Sequence, residues 1–518
     1  MVDYIIIGAG SAGCVLANRL TEESETTVLL LEAGGMDDYP DIRIPGRWTT
    51  LLGTEIDWLY QTEPQIHLNN RIVDWNRGKV LGGSSSINNM VYIRGHRWDY
   101  DRWAELGNEA WSYAEVLPYF KKSENQERGA SEYHGVGGPL NVADLPQVSP
   151  ITEVVERFIQ AGLELGLPFN DDFNGAKQEG IGRYQFTRKD GERHSAADAW
   201  LKPAWFRPNL QVKTKAHVTR LLFEGTRAVG VEYSHEYQTK RALAEQEVIL
   251  CGGAINSPQL LLCSGIGPAD HLRQFDIPVV VDLPGVGQNL QDHALTVMRY
   301  LTTTPTQIKD AALTAASQEY TQFKTGLLAV NWSAGGAFIK TQPELPIPDI
   351  QLYVAPGDEN NGEDFFIVLS LLRPKDRGTI HLSSSNPFDY PIIQPNYLER
   401  SEDRQTFVDG VKFVRRLTQT KAYEGYIKSE LEPGIEVQTD AHILAWLRDN
   451  LSTTWHYSGT CKMGVDPLAV VDPQLQLYGV ENLRVVDASI IPEVIGGNTN
   501  APVIMIAEKA ADMIRGQK

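Results

Sequence analysis

Tyr4-Ile5-Ile6-Ile7-Gly8-Ala9-Gly10-Ser11-Ala12-Gly13 decides the fold class. The apolar, β-branched run before the first glycine predicts a buried strand, and Cys14–Leu20 after the last has the apolar spacing of a helix. Strand, glycine turn and helix in that order open a dinucleotide-binding fold. Gly8 and Gly10 let the backbone turn tightly and approach a pyrophosphate, and Gly13 permits close helix packing. The helix N-terminus offers oriented N–H groups and the positive end of its dipole. A second strand, Thr27–Leu31, ends at Glu32, nineteen residues after Gly13, where such a fold needs a carboxylate for the ribose hydroxyls. The same carboxylate repels a 2′-phosphate, which disfavours NADP.

The whole chain is compatible with that opening. Its 518 residues allow about three domains, or one large core with an inserted module. Hydrophobic residues make up 42 % and charged residues 22 %, the balance of a globular protein. The net charge is −19 with no basic run, which disfavours nucleic acid and anionic membrane surfaces as partners. The longest apolar stretches, Tyr4–Gly8, Val28–Leu31, Val248–Cys251 and Pro278–Val281, fall far short of the ~20 residues that span a bilayer. No signal peptide is read at the N-terminus unless one was trimmed, and a cytoplasmic location is expected. Cys14, Cys251, Cys263 and Cys461 show neither a disulfide framework nor metal-ligand spacing, so no metal site is expected.

Ala33–Gly53 carries Gly34, Gly35, Pro40, Pro45, Gly46 and Gly53 and reads as an irregular excursion rather than the next repeat of a simple dinucleotide domain. A second glycine-rich element, Arg77–Met90, is flanked by the apolar Val80-Leu81 and Met90-Val91-Tyr92-Ile93. Those flanks predict a buried loop whose main-chain and hydroxyl donors face something polar.

Gly78–Asn88 and Gly253–Gly267 resemble the two signature segments of the glucose-methanol-choline (GMC) oxidoreductase family. The resemblance continues through Gly285–His293, Arg373–Gly378, His456–Gly464, Asp487-Ala488-Ser489 and Gly497–Pro502, so it spans essentially the whole chain, and is greater to the choline dehydrogenase and aryl-alcohol or hydroxymethylfurfural oxidase branch than to glucose oxidase. It implies FAD, with Gly8, Gly10, Ser11, Ala12 and Gly13 on the pyrophosphate, Glu32 and Ala33 at the ribose, and Val218 on the adenine. Gly82, Gly83, Ser84, Asn88, Asn89, Met90 and Val91 are implied against the flavin, Trp455 beside it, and Asp487 and Ala488 at the ribityl or pyrophosphate region. Some relatives attach FAD through a histidine at the position of Ile87; isoleucine has no nitrogen for that bond, so a non-covalent flavin is expected.

Alcohol oxidation removes a hydroxyl proton and a carbon-bound hydride, and the hydride leaves readily only as charge builds on oxygen. A base beside the flavin is therefore required. His67, His134, His235, His271 and His381 sit in contexts with ordinary explanations, whereas His456 matches the family's active-site histidine and Asn500 its second active-site residue. The resemblance thus implies His456 as general base, Asn500 as donor to the developing alkoxide and flavin N5 as hydride acceptor, with kcat/KM declining as pH drops through the histidine's pKa.

The implied fold is α/β. Segments 1–155, 195–300 and 447–518 form a Rossmann-like FAD-binding domain, and 156–194 and 301–446 a discontinuous α+β substrate domain on an antiparallel sheet. In the latter, Ile350–Val354, Phe365–Leu371 and Thr379–Leu382 read as strands, with Pro374–Gly378 as a turn, and Asp403–Thr418 as a helix laid over the sheet. Trp332, Phe338, Phe365, Phe366, Trp455 and Tyr457 are candidate pocket aromatics, Trp455 foremost. The expected reaction is oxidation of a primary alcohol, aromatic or furanic, to the aldehyde, with oxygen or another acceptor reoxidising the flavin. Choline is the alternative, through a carboxylate or an aromatic cage for its ammonium. Two other chemistries of the fold fit less well. A cyanohydrin lyase favours histidine at both active-site positions, and a fatty-acid photodecarboxylase uses a substrate-domain cysteine, which 301–446 lacks.

Overall fold

The computed structural model describes residues 1–149, 151–304, 310–357 and 362–516; residues 150, 305–309, 358–361 and 517–518 of the expected segments lie outside the described residues. Two seven-stranded sheets organise the chain. In the first, Val2–Ile7 is the central strand, with Val28–Leu31 and then Leu210–Lys213 parallel to it on one side and Gln238–Leu250 parallel on the other. Leu483–Val485 adds in parallel to the end of Gln238–Leu250. The first half of that strand pairs antiparallel with Arg227–His235, which in turn pairs with Ala216–Glu224. Ile5, Ile6, Leu30, Ile249 and Leu250 are fully buried because helices cover the sheet. Helix Ser11–Leu20 packs on the C-terminal helix Asn500–Arg515.

The second sheet is antiparallel throughout, in the order Ile427–Glu432, Ala294–Thr302, Asp364–Leu371, Ile350–Pro356, Gly335–Ile339, Gly180–Arg183, with Ser452–Thr453 beside the start of Ala294–Thr302. Helices Ile151–Glu164 and Ser401–Thr418 lie over its back. Phe407, Val408, Val411, Val414 and Leu417, the positions read from the sequence as a helical stripe, are buried there.

Three expectations are corrected. Residues 294–300 and Ser452–Thr453, placed by sequence with the FAD-binding segments, lie in the antiparallel sheet, whose strand Ala294–Thr302 runs across the expected boundary at 300. Helix Ile151–Glu164 starts before the expected boundary at 155 and packs on that sheet and on Lys421–Tyr423 and helix Ser401–Thr418. Thr379–His381 is a strand but not the next one of the sheet; it pairs with Ile392–Gln394 in a separate ribbon. The Pro374–Gly378 segment turns away because the Asp403 carboxylate accepts from the backbone N–H groups of both Lys375 and Asp376. No helix among the described residues is long and apolar enough to cross a membrane.

Candidate active site

A cavity of about 570 Å³ runs from the carboxyl ends of the parallel strands to the exposed face of the antiparallel sheet. At its first end, Gly8 has φ +99°, which a side chain rarely adopts, and the chain then enters a helix whose N-cap, Gly10, carries no side-chain cap. The helix N–H groups are left to a ligand. A methyl on Gly13 would stand 1.9 Å from the Gly8 carbonyl oxygen, and one on Gly83 would stand 2.7 Å from the Gly10 Cα. The two glycine-rich elements therefore touch back to back, and a cradle lined by Gly8, Gly10, Ser11, Ala12, Gly83 and Ser84 opens between them. Gly13 and Gly82, expected on the cofactor, shape that cradle from behind and do not line it.

Glu32 closes the turn. Its Oε2 accepts from Ala9 N–H at 2.8 Å and its Oε1 from Gly34 N–H at 2.7 Å, and burial raises its pKa. Ala33 and Val218 continue the wall beyond it. Asn88, Asn89, Met90 and Val91 line the middle, with Met90 held in the left-handed region and Asn88 Oδ1 bonded to Met90 N–H and to the buried Arg193. Asp487 and Ala488 face them. Asp487 accepts from Gly253 N–H and the Ser257 and Ser489 hydroxyls, and burial raises its pKa. An uncapped helix end, opposed glycines and an acid at the second strand fit a dinucleotide such as FAD, and Ile87 on the wall offers no covalent anchor.

The other end of the cavity, where the sequence places the base, is built on His456, 7 % exposed. Trp455 before it has φ +60°, a conformation costing roughly 1–2 kcal/mol. Three contacts hold it: its N–H donates to Thr453 Oγ1 at 2.7 Å, its carbonyl accepts from Arg77 Nη1 at 2.8 Å, and its indole donates to Asn76. His456 N–H donates to Asp292 Oδ1 at 2.9 Å, and the other oxygen of that carboxylate accepts from the Tyr397 and Thr453 hydroxyls. The His456 ring then has two neighbours: His293 Nδ1 lies 2.9 Å from its Nδ1, and Asn498 Nδ2 lies 3.3 Å from its Nε2. Burial, then the Arg77 guanidinium, lowers the His456 pKa to about 3, so the ring is neutral and can accept a proton. Burial, with His456 second, also drives His293 well below its ordinary value.

The amide on His456 is therefore that of Asn498, not of Asn500. Asn500 is the first residue of the C-terminal helix, and its Oδ1 accepts from Ser11 Oγ at 2.7 Å, tying that helix to the glycine turn. Both asparagines line the cavity, but a two-residue step across a helix start points them to different ends. Of the candidate aromatics, Phe366, Trp455 and Tyr457 reach the cavity; Phe338 and Phe365 pack in the core, and Trp332 packs against it. Sequence reasoning missed Asn498, His293, Arg77 and Asp292. The run Gln291-Asp292-His293 was visible, but nothing local says that it folds behind His456.

Comparison with known proteins agrees with this architecture. Residues 2–295 and 374–507 match the amino- and carboxy-terminal family profiles described as GMC oxidoreductase. Human mitochondrial choline dehydrogenase is 46 % identical over 99 % of this chain and 90 % of its own, and an alcohol dehydrogenase [acceptor] of Pseudomonas putida is 45 % identical over 99 % and 96 %. The crystal structure of pyridoxine 4-oxidase from Mesorbium loti superposes with a TM-score of 0.90 at 34 % identity, covering 99 % of both chains. The chain belongs to the GMC oxidoreductase family. It is an FAD-dependent alcohol oxidoreductase.

Proposed function

We propose that His456 takes the hydroxyl proton of a primary alcohol while Asn498 donates a hydrogen bond to the oxygen as charge develops on it. The observation that carries this is the Asn498 Nδ2 to His456 Nε2 contact of 3.3 Å in a cavity whose other end suits FAD. FAD, when bound along the cradle, supplies the hydride acceptor. Burial holds His456 neutral, so it accepts without first losing a proton; a positioned general base is worth ~10²–10⁴-fold where its pKa in the loaded site lies near the working pH. Asn498 donates in any protonation state and stabilises negative charge without reorganising. The cofactor is proposed to be non-covalent, on Ile87. The two-part division of the chain is retained as a proposal, with 151–155, 294–300 and 452–453 reassigned to the substrate side.

The relatives' names support choline above the aromatic or furanic alcohol expected from the sequence. The cavity supports an uncharged primary alcohol, the broader class to which the aromatic and furanic alcohols expected from the sequence belong. At its reactive end the antiparallel sheet presents Leu295, Val297, Phe366, Val368 and Tyr353. The only carboxylates among the lining residues, Glu32 and Asp487, are bonded to backbone and hydroxyl donors at the cofactor end. A quaternary ammonium would have aromatic faces but no counter-charge, with Arg77 nearby. An anaerobic panel of aliphatic alcohols, aromatic alcohols and choline, read by flavin bleaching and then scored for peroxide and dye reduction, tests this. Choline reducing the flavin more efficiently than every uncharged alcohol overturns the uncharged reading; no bleaching by any alcohol overturns the activity.

A further inference from the structure

Beyond the two groups at the reactive end, the structure carries a chain of hydrogen bonds whose direction can be worked out from its far terminus. Tyr184 OH lies 2.7 Å from the Leu352 carbonyl oxygen. A carbonyl only accepts, so the single Tyr184 proton is spent there. Gln351 Nε2 lies 3.2 Å from Tyr184 OH, which has only lone pairs left to offer, so the amide end facing it is the NH₂. The same NH₂ lies 3.2 Å from Asn498 Oδ1, and Tyr353 OH lies 3.2 Å from that oxygen as well. The Gln351 NH₂ can only donate, which makes the facing atom the carbonyl oxygen, leaves Tyr353 OH to donate to it as well, and turns the Asn498 NH₂ toward His456 Nε2. An amide NH₂ facing Nε2 requires Nε2 to be bare. The His456 proton then sits on Nδ1 and is donated to His293 Nδ1, leaving the His293 proton on the buried Nε2.

We propose that Gln351, oriented by Tyr184, is a positioning residue that sets the tautomer of His456 through Asn498, so that the nitrogen facing the substrate is the one able to accept a proton. Gln351 and Tyr353 lie two residues apart on strand Ile350–Pro356 and so share one face of the antiparallel sheet. The substrate-side sheet thereby dictates the proton arrangement of a base carried on another segment. The groups facing His456 are Asn498, which Tyr353 touches in turn, His293 at the ring, Asp292 at its backbone N–H, and Arg77. The Tyr353 hydroxyl can donate to Asn498 or accept from it, so once Gln351 stops donating Asn498 can present either end of its amide.

The catalytic importance of this relay rests on His456 being the base; the polarity itself does not. It is tested on the FAD-loaded enzyme with ¹³C,¹⁵N-labelled histidine in a deuterated background, where ring shifts distinguish Nδ1–H from Nε2–H and a His456→Gln sample assigns the resonance. The wild type is expected to show His456 as Nδ1–H. Gln351→Met removes the orienting donor and Tyr184→Phe lets Gln351 turn over; each is expected to raise the Nε2–H to Nδ1–H ratio by about fivefold or more, one net hydrogen bond's worth. Tyr184→Phe deletes a single oxygen and serves if Gln351→Met fails to fold. A wild-type His456 protonated on Nε2, or a variant ratio within about twofold of wild type, overturns the relay. Loss of the base assignment shows separately, as unchanged flavin reduction in His456→Ala.

Discussion

Replacing Asn498 by alanine and, separately, Asn500 by alanine distinguishes the site in space from the site suggested by sequence. Asn498 makes three contacts: Nδ2 to His456 at 3.3 Å, and Oδ1 to Gln351 and Tyr353 at 3.2 Å each. Removing its NH₂ takes away the one neutral donor beside the base. Loss of a donor aimed at a developing oxyanion typically slows the chemical step ~10²–10³-fold, about 2.7–4 kcal/mol. The same substitution strips the acceptor from two buried donors, about 1–3 kcal/mol of stability each before water replaces it. Asn500 instead accepts from Ser11 Oγ at 2.7 Å, a half-buried bond worth about 1 kcal/mol between two helices. Anaerobic stopped-flow on FAD-loaded enzyme separates rate from folding, because flavin reduction is read only in molecules that have kept the cofactor. Asn498→Ala is expected to reduce its flavin ~10²–10³-fold more slowly, and Asn500→Ala to stay within about threefold of wild type with weaker FAD retention. Equal losses in both variants would refute the assignment, as would a larger loss in Asn500→Ala.

The pH dependence follows from the buried rings. With the His456 pKa lowered to about 3 the reactive form persists through mildly acid solution, so the reductive rate is expected to stay flat from about pH 8 to 5 rather than fall near 6.5. The unfolded chain does take up that proton below about pH 6.5, so stability is complete above that value and falls by about 1.4 kcal/mol per pH unit for His456 alone as pH drops toward 3. Activity loss on the acid side should therefore coincide with loss of far-ultraviolet circular dichroism; a midpoint near 6.5 in folded enzyme contradicts this. Gly10→Ala and Gly13→Ala should fail differently. A methyl on Gly10 meets only the Gly83 Cα at 3.9 Å, so that variant is expected to fold and bind FAD at least ~10-fold more weakly, while the 1.9 Å clash at Gly13 is expected to abolish soluble folded protein. Thermal melts with and without added FAD check both. Acid precipitation of the holoenzyme should leave the yellow colour in the supernatant, since Ile87 cannot hold the flavin covalently; a coloured pellet refutes that.

The strand, turn and helix from Tyr4 to Leu20, the acid at Glu32 and the helix at Ser401–Thr418 were legible in the sequence because each is a local pattern, written in the spacing of neighbouring residues. The glycine requirement at Gly8 and Gly13 is equally local: one is a backbone angle, the other a contact five residues away. Partnership is not local. Thr379–His381 has the composition of a strand whichever neighbour it takes, and its pairing with Ile392–Gln394 depends on Asp403 pinning the connection before it. The Gly496–Asn500 segment offers two asparagines of equal chemistry. Only the placement of the helix that starts at Asn500, packed on Ser11–Leu20, turns one amide to Ser11 and the other to His456. His293, Asn498, Gln351 and Tyr184 reach the reactive end from four stretches of chain. By itself the sequence determined a dinucleotide cradle, whose parts are neighbours along the backbone. The tertiary structure alone decided which groups meet at the His456 ring, because its contact with His293 and that of Asn498 with Gln351 join segments more than a hundred residues apart along the chain.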